Sequence, residues 1–150
     1  MKIMIALDDS LYSGQIVKEI LGRSWPEGCE FKLITVLEPL HLSDEDMHKQ
    51  VVSEVQEMRR EAARQFLTEV KAQFDKFPGS TVHFEIREGV PEQEILDSAV
   101  EWEPDRLLIG ALGRGAGESA KKARIGSTSS TVASHAPCSV EVVRQPVAAK

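Results

Sequence analysis

The chain is poor in the features that mark several functional classes. Only two of its 150 residues are cysteine, Cys29 and Cys138, which stand far apart in no CxxC spacing. Neither a disulfide framework nor a redox pair is indicated, and both read as small packing residues. There is no basic excess: 18 Lys and Arg face 24 Asp and Glu, a formal charge of −6, which argues against a general role on nucleic acid or an anionic membrane. No apolar run approaches the roughly 18 residues needed to span a bilayer. The opening "MKIMIALDDS" is interrupted by acidic residues far short of a signal peptide's core, so a cytoplasmic setting is expected. A Walker A loop is excluded because no GK[ST] occurs, and the dinucleotide fingerprint fails where Glu118 replaces its third glycine. His41, His48, His83 and His135 are scattered, none with a spaced carboxylate partner, so no general base or metal cluster is identified and catalysis is not expected.

What remains is one domain's length of alternating strand and helix patterns. "KIMIAL" from Lys2 to Leu7 is a continuous apolar strand suited to the centre of a parallel sheet. Ser13 to Arg23 carries an apolar helical face, ending near Gly22 and Trp25-Pro26, and Glu30 to Leu37 is a second strand. From Met47 to Phe77 apolar residues recur every three or four positions, a helix so long that its first turns must project, break or serve another chain. Ser43 and Asp46 resemble its capping box. Thr81 to Arg87 alternates like an edge strand, Pro91 opens a third helix, and Asp105 to Gly110 is a fourth strand. Gly126 to Ala136 is a last helix of poor propensity, with His135 near its end as a cap, and Ser139 to Arg144 a fifth strand. The alternation predicts an α/β fold, a doubly wound sheet with helices on both faces, while residues 145–150 read as a loose tail.

Ligands of such sheets bind outside the carboxyl ends of the strands, where the strand order reverses. Two segments carry suitable residues. Asp8 directly follows the first strand, so its carboxylate either accepts hydrogen bonds from a ribose or adenine amine or, with Asp9 and Ser10, turns the chain and caps the first helix. Further on, in "IGALGRGAGESAKKARIGST", Gly110 and Gly113 allow close backbone approach, and Gly126, Ser127 and Thr128 open a helix whose amide and hydroxyl donors suit a phosphate. Residues 111–125 hold four basic residues and one acidic, a local charge of +3 that leaves −9 on the rest.

The order "ALDDS", "TVLEP", "EGVPEQEIL", "DRLLIGALGRG", "IGSTSSTVASHAPCSVEVVR" resembles a universal stress protein over nearly the whole chain, a single domain of residues 1–144. The resemblance implies a five-stranded parallel sheet of order 3-2-1-4-5 and, in many members, bound ATP, here with or without Mg²⁺. It implies that Ala6 and Leu7 line the base pocket, that Asp8 faces ribose or adenine, and that Val36 and Ile109 pack on the base. Gly110 and Gly113 match the family's GxxG, and Gly126 and Ser127 its closing phosphate-holding pair, followed by Thr128. Two departures stand out. Twelve residues separate Gly113 from Gly126 where the pattern has nine, an extension at Arg114–Ile125, and Asp9 stands where glycine is frequent.

The expected function is a nucleotide-binding stress-response regulator whose ATP occupancy modulates recognition of an unidentified protein partner. The alternative is a dimeric interaction module that no longer holds nucleotide. Slow hydrolysis of bound ATP is compatible with the first reading without being its main role. The family resemblance further implies a homodimer through the Ser139–Arg144 edge strand, a template for pairing with its twin.

Overall fold

The first strand, β1 (Lys2–Ala6), is apolar after Lys2 and buried on both faces, with Ile3, Met4 and Ile5 each at most 1% exposed. It pairs in parallel with β2 (Glu30–Leu37) on one side and with β4 (Arg106–Gly110) on the other. Beyond them lie β3 (Thr81–Glu88) against β2 and β5 (Ser139–Val143) against β4. This computed structural model, which describes residues 1–8, 10–40, 49–112 and 125–144, thus has the expected sheet order β3-β2-β1-β4-β5. Ser43, Asp46, His41, His48 and the 145–150 tail lie outside the described residues.

Helices α1 (Leu11–Leu21) and α2 (Lys49–Gln73) cover one face, packing on Ile3, Ile5 and Leu33, while α3 (Pro91–Trp102) and α4 (Ser127–His135) cover the other, packing on Met4, Ile34 and Leu107. The division follows from the order. Successive crossovers run one way along the sheet from β1 to β3 and the other way from β3 to β5, and a constant crossover hand then places the two helix pairs on opposite faces. At the amino ends of the strands, Phe31 meets Trp25, Phe74 and Phe77 at ring-centroid distances of 5.7, 4.9 and 5.8 Å, a concentration of buried aromatic area that anchors the core far from the strand tips. Cys29 is buried in this layer and Cys138 packs against the opposite one. Burial, and then the charge of Asp105, push the Cys138 thiol up, away from the reactive thiolate.

Several boundaries differ from the sequence reading for local reasons. α1 starts two residues early because Asp8 already closes the turn before it, its carboxylate accepting the Ser10 amide at 2.9 Å. Asp105 precedes β4 and clips it to β1: its amide donates to the Lys2 carbonyl at 2.8 Å and its carboxylate accepts the Lys2 amide at 2.7 Å. β5 stops at Val143, one residue short of the expected edge. The long helix ends at Gln73, where a 3₁₀ turn over Phe74–Lys76 drops Phe74 into the core. Its 25 residues span about 37 Å. Ala63, Leu67 and Val70, its buried residues, all lie in its second half, whereas Val51 and Met58 are 49% and 71% exposed, so the described first half contributes little to the core. No helix among the described residues is long and apolar enough to cross a membrane.

Charge is matched at both sheet edges. On the β3 side, Lys32 lies 2.5 Å from Glu85, and Arg87 reaches Glu85, Glu94 and Glu101. Burial pushes the Glu85 carboxyl up, but the hydrogen bonds from Lys32 and Arg87 outweigh it and hold the group below its ordinary value. On the β5 side, Arg23 at the end of α1 donates to Glu141 at 2.8 Å and also contacts Glu19 at 3.1 Å. The Arg23 hydrogen bond holds the Glu141 carboxyl down despite partial burial. Both groups therefore stay ionised in the fold at pH values where the unfolded chain takes up protons. Their stabilisation is complete at neutral pH and is lost as pH falls through and below about 4. Replacing Glu141 with Gln should cost about 0.2–1 kcal/mol at neutral pH and make the acid-side decline shallower. Thermal melts of both proteins across the acid range check this, and parallel declines would show that the ion pair is not the titrating element.

Candidate functional site

The carboxyl ends of β1, β2 and β4 meet at the point where the strand order turns back on itself. Ala6 is the register partner of both Ile34 and Ile109, and its side chain joins theirs on the α3/α4 face. Val36, two residues beyond Ile34, packs against the same layer and is half-buried, as the two-residue period of a strand requires. Ala6, Val36 and Ile109 thus form an apolar wall on one face. Leu7 is placed differently. Its side chain belongs to the α1/α2 layer at 4% exposure. Its backbone serves the sheet, the amide donating to Ile34 at 2.8 Å and the carbonyl accepting the Thr35 hydroxyl at 2.9 Å.

Asp8 leaves the strand into a hydrogen-bonded turn. Its Oδ1 accepts the Ser10 amide at 2.9 Å, the Ser10 hydroxyl, and the Ser13 hydroxyl at 2.9 Å. The Ser13 oxygen in turn accepts the Asp8 amide at 2.8 Å. A carboxylate so held has little rotamer freedom left to lose, and it sits half-buried at the tip of the central strand. Asp9 lies outside the described residues.

The fourth strand and the last helix are tied together across the segment between them. The Gly126 amide donates to Ala111 O at 2.6 Å, the buried Ser129 hydroxyl donates to Gly110 O, and the Ala111 amide donates to Val143 O at 2.9 Å. These bonds hold the amino terminus of α4 beside the end of β4, where the leading amides of a helix have no partner within it. Ser127 is exposed and Thr128 half-buried there. Gly126, the N-cap, has φ −81° and ψ 169°, extended backbone open to any residue, and a Cβ on it would lie 3.3 Å from Ala111 O.

Gly110 has a packing reason of its own. A Cβ on it would stand 2.3 Å from Cδ1 of Ile16 on α1, so the space its side chain would take is already filled by the protein. The second glycine of the predicted pair, Gly113, and the basic segment after it lie outside the described residues.

The predicted residues Ala6, Asp8, Val36, Ile109 and Gly110 thus gather at the strand ends, with Gly126, Ser127 and Thr128 bound to the same corner. Sequence reasoning passed over Ser13, Thr35 and Ser129, each at most 4% exposed, which fix the turn, the end of β1 and the start of α4. For Ser13 and Thr35 the signal was a small polar residue at an inward position of a helix or strand; Ser129, in a helix of weak amphipathicity, carried none. His83 Nε2 does lie 3.9 Å from Glu30 Oε1, but both are exposed side chains at the amino end of the sheet, opposite the crevice. The His135 ring nitrogen is 3.0 Å from Thr131 O within the last turn of α4, in keeping with a terminal role.

A family model described as "Universal stress protein family" matches residues 1–144. A universal stress protein of Synechocystis is 24% identical over 155 aligned positions, covering 95% of this chain and 97% of its own. Among solved structures, universal stress protein UspA of Lactobacillus plantarum superposes with a TM-score of 0.83 at 23% identity, over 96% of this chain and 97% of that one. A family protein of Arabidopsis thaliana, solved with AMP bound, superposes with a TM-score of 0.61 at 18% identity, over 98% and 93%. At these identities the likeness to solved structures is one of fold.

The Gly110–Ile16 contact generates a prediction. Gly110→Ala should destabilise the fold by about 1–3 kcal/mol through overpacking, and Ile16→Val in the same chain, which removes the colliding Cδ1, should recover part of that loss. Urea unfolding of the single and double variants measures the coupling; strictly additive losses would place the strain elsewhere.

Proposed function

The chain belongs to the universal stress protein family, and on that premise we propose that it binds an adenine nucleotide, ATP with Mg²⁺ foremost, in the crevice at the carboxyl ends of β1 and β4. The observation that carries this reading is the amino terminus of α4, pinned by Gly126 and Ser129 beside an apolar wall of Ala6, Val36 and Ile109. The wall suits a base. Asp8, held by its three donors, suits a ribose hydroxyl as acceptor. The amides and hydroxyls of Ser127 and Thr128 suit phosphate oxygens, which a helix amino terminus attracts through its free donors and its dipole. Leu7 contributes backbone at the same place, and the four basic residues of 111–125 supply charge opposite to a triphosphate. The AMP in the Arabidopsis relative supports an adenine nucleotide as the ligand class.

The proposed role is regulatory rather than catalytic. Nucleotide occupancy would set the course of the Gly113–Ile125 segment and so which cytoplasmic partner is recognised. A homodimer is proposed through β5, whose outer edge has no strand beside it among the described residues. The second reading, a dimeric interaction module without nucleotide, draws its support from the twelve-residue spacing between Gly113 and Gly126 and from the packing explanation for Gly110.

Calorimetric titration with ATP and Mg²⁺ separates the two. Wild-type protein should bind, and Gly126→Asp should abolish binding; its backbone is extended, but its Cβ would lie 3.3 Å from Ala111 O, so a modest fall in melting temperature is expected and a thermal melt checks that the variant is still folded. Lys121→Ala and Lys122→Ala should weaken ATP more than adenosine. Absence of heat with folded wild type would transfer the assignment to the interaction module. A monomeric mass by light scattering at micromolar concentration would rule out the β5 dimer.

A further inference from the structure

Two serines at the start of α1 turn away from the helix they open. Ser10 is the N-cap, the position from which a serine hydroxyl ordinarily accepts the amide of the second or third helical residue, yet its side chain makes no such bond. Its hydroxyl donates to Asp8 Oδ1 instead, and its amide does so at 2.9 Å. The Ser13 amide is left with the Ser10 carbonyl, at 3.2 Å. Ser13 itself, the third residue of α1, is 3% exposed on the helix face that also carries Ile16, Val17 and Ile20. It too reaches back, its hydroxyl donating to Asp8 Oδ1 at 2.9 Å and accepting the Asp8 amide at 2.8 Å.

Helix stability alone does not ask for this arrangement. A serine at the N-cap stabilises a helix by accepting an amide, and here that use is given up; an alanine at position 13 would continue the apolar face. What the two hydroxyls accomplish lies on Asp8. Three donors on one oxygen set the side-chain torsions and the plane of the carboxylate before any ligand arrives, and hydrogen bonds to an ionised acceptor are the strong kind. Ser13 also holds the Asp8 amide, so one residue fixes both the backbone and the side chain of the acceptor. Asp8 is half-buried at the tip of β1. A carboxylate free to rotate would swing toward water when a ligand offered it no donor; a clamped one cannot.

We propose that Ser10 and Ser13 are positioning residues for the sugar of the bound nucleotide: they hold Asp8 as a preset acceptor for a ribose hydroxyl and thereby make the crevice select nucleotides with an intact ribose over those that lack a sugar hydroxyl. The inference rests on the nucleotide reading above and adds to it the residues that set its sugar specificity. A sugar without the hydroxyl leaves a fixed, half-buried acceptor short of that bond, and a site built to bond a hydroxyl rejects the analogue that lacks it. The selectivity therefore belongs to the clamp as much as to the carboxylate.

Calorimetric titration of the full chain with ATP and with 2′,3′-dideoxy-ATP, both with Mg²⁺, gives a ratio of affinities for each variant, and a thermal melt shows which variants are folded. Wild type should prefer ATP by at least about tenfold, the fold-change of one hydrogen bond to a charged acceptor. Ser13→Ala should cut that preference to about threefold or less, chiefly by weakening ATP, and Ser13→Thr, which keeps the hydroxyl, should stay nearer to wild type. Ser10→Ala, at a half-buried position, should cut the preference as well and carries the test if Ser13→Ala does not fold. A purely structural role for the serines would lower the melting temperature and weaken both ligands equally. Such equal losses, a preference left intact in any folded alanine variant, or wild type that binds both ligands alike overturns this assignment and leaves the nucleotide reading standing; folded wild type that binds neither ligand overturns both.

Discussion

Burial of β1 on both faces and pairing along both edges is the constraint from which the rest of the molecule follows. A strand with no solvent face must be covered by helices above and below, and a strand with two parallel neighbours must be reached by crossovers that leave in opposite directions. Those departures open the crevice between the tips of β1 and β4. The apolar wall, the Asp8 turn and the start of α4 converge there because the chain has nowhere else to leave the sheet.

The aromatic core and the proposed nucleotide crevice are consequently sorted to opposite ends. The Phe31, Phe74 and Phe77 rings and Trp25 lie at the amino ends of the strands, where substitution would be felt as lost core. The carboxyl ends carry glycines, small hydroxyl side chains and short apolar ones, held by hydrogen bonds to backbone carbonyls rather than by bulk. Such an end can be shaped by its loops without reopening the core.

The central and edge placements were legible in the sequence because burial leaves a local mark. "KIMIA" has no polar alternation and proved central, while "TVHFEIR" alternates and proved an edge. Helix starts were less legible, since α1 begins where Asp8 folds back on Ser10 and Ser13, a contact that one-dimensional periodicity does not contain. Asp8 closes the turn, one of the two readings open to the sequence, and does so at the strand tip. Gly110 was recognisable as a required glycine, but the reason, an isoleucine 94 positions earlier in the chain lying 2.3 Å from where a Cβ would be, exists only in three dimensions. Ser129 was hidden for a related cause: in a helix of weak amphipathicity and poor intrinsic propensity, nothing distinguishes the one inward serine from its outward neighbours.

The clip between Lys2 and Asp105 joins residues 103 positions apart, and that separation governs the order of events in folding. While the chain is being made, β1, β2 and β3 with their two helices can assemble first, leaving one side of the most apolar strand unpaired until β4 emerges. The half-built sheet therefore presents an open hydrophobic template while the roughly 20 residues from the end of β3 to the end of β4 are made, on the order of 1–4 s at ordinary elongation rates. Long-range parallel pairing of this kind is slow to close. The same central strand that organises the finished molecule is thus its point of greatest exposure to misassociation before it is complete.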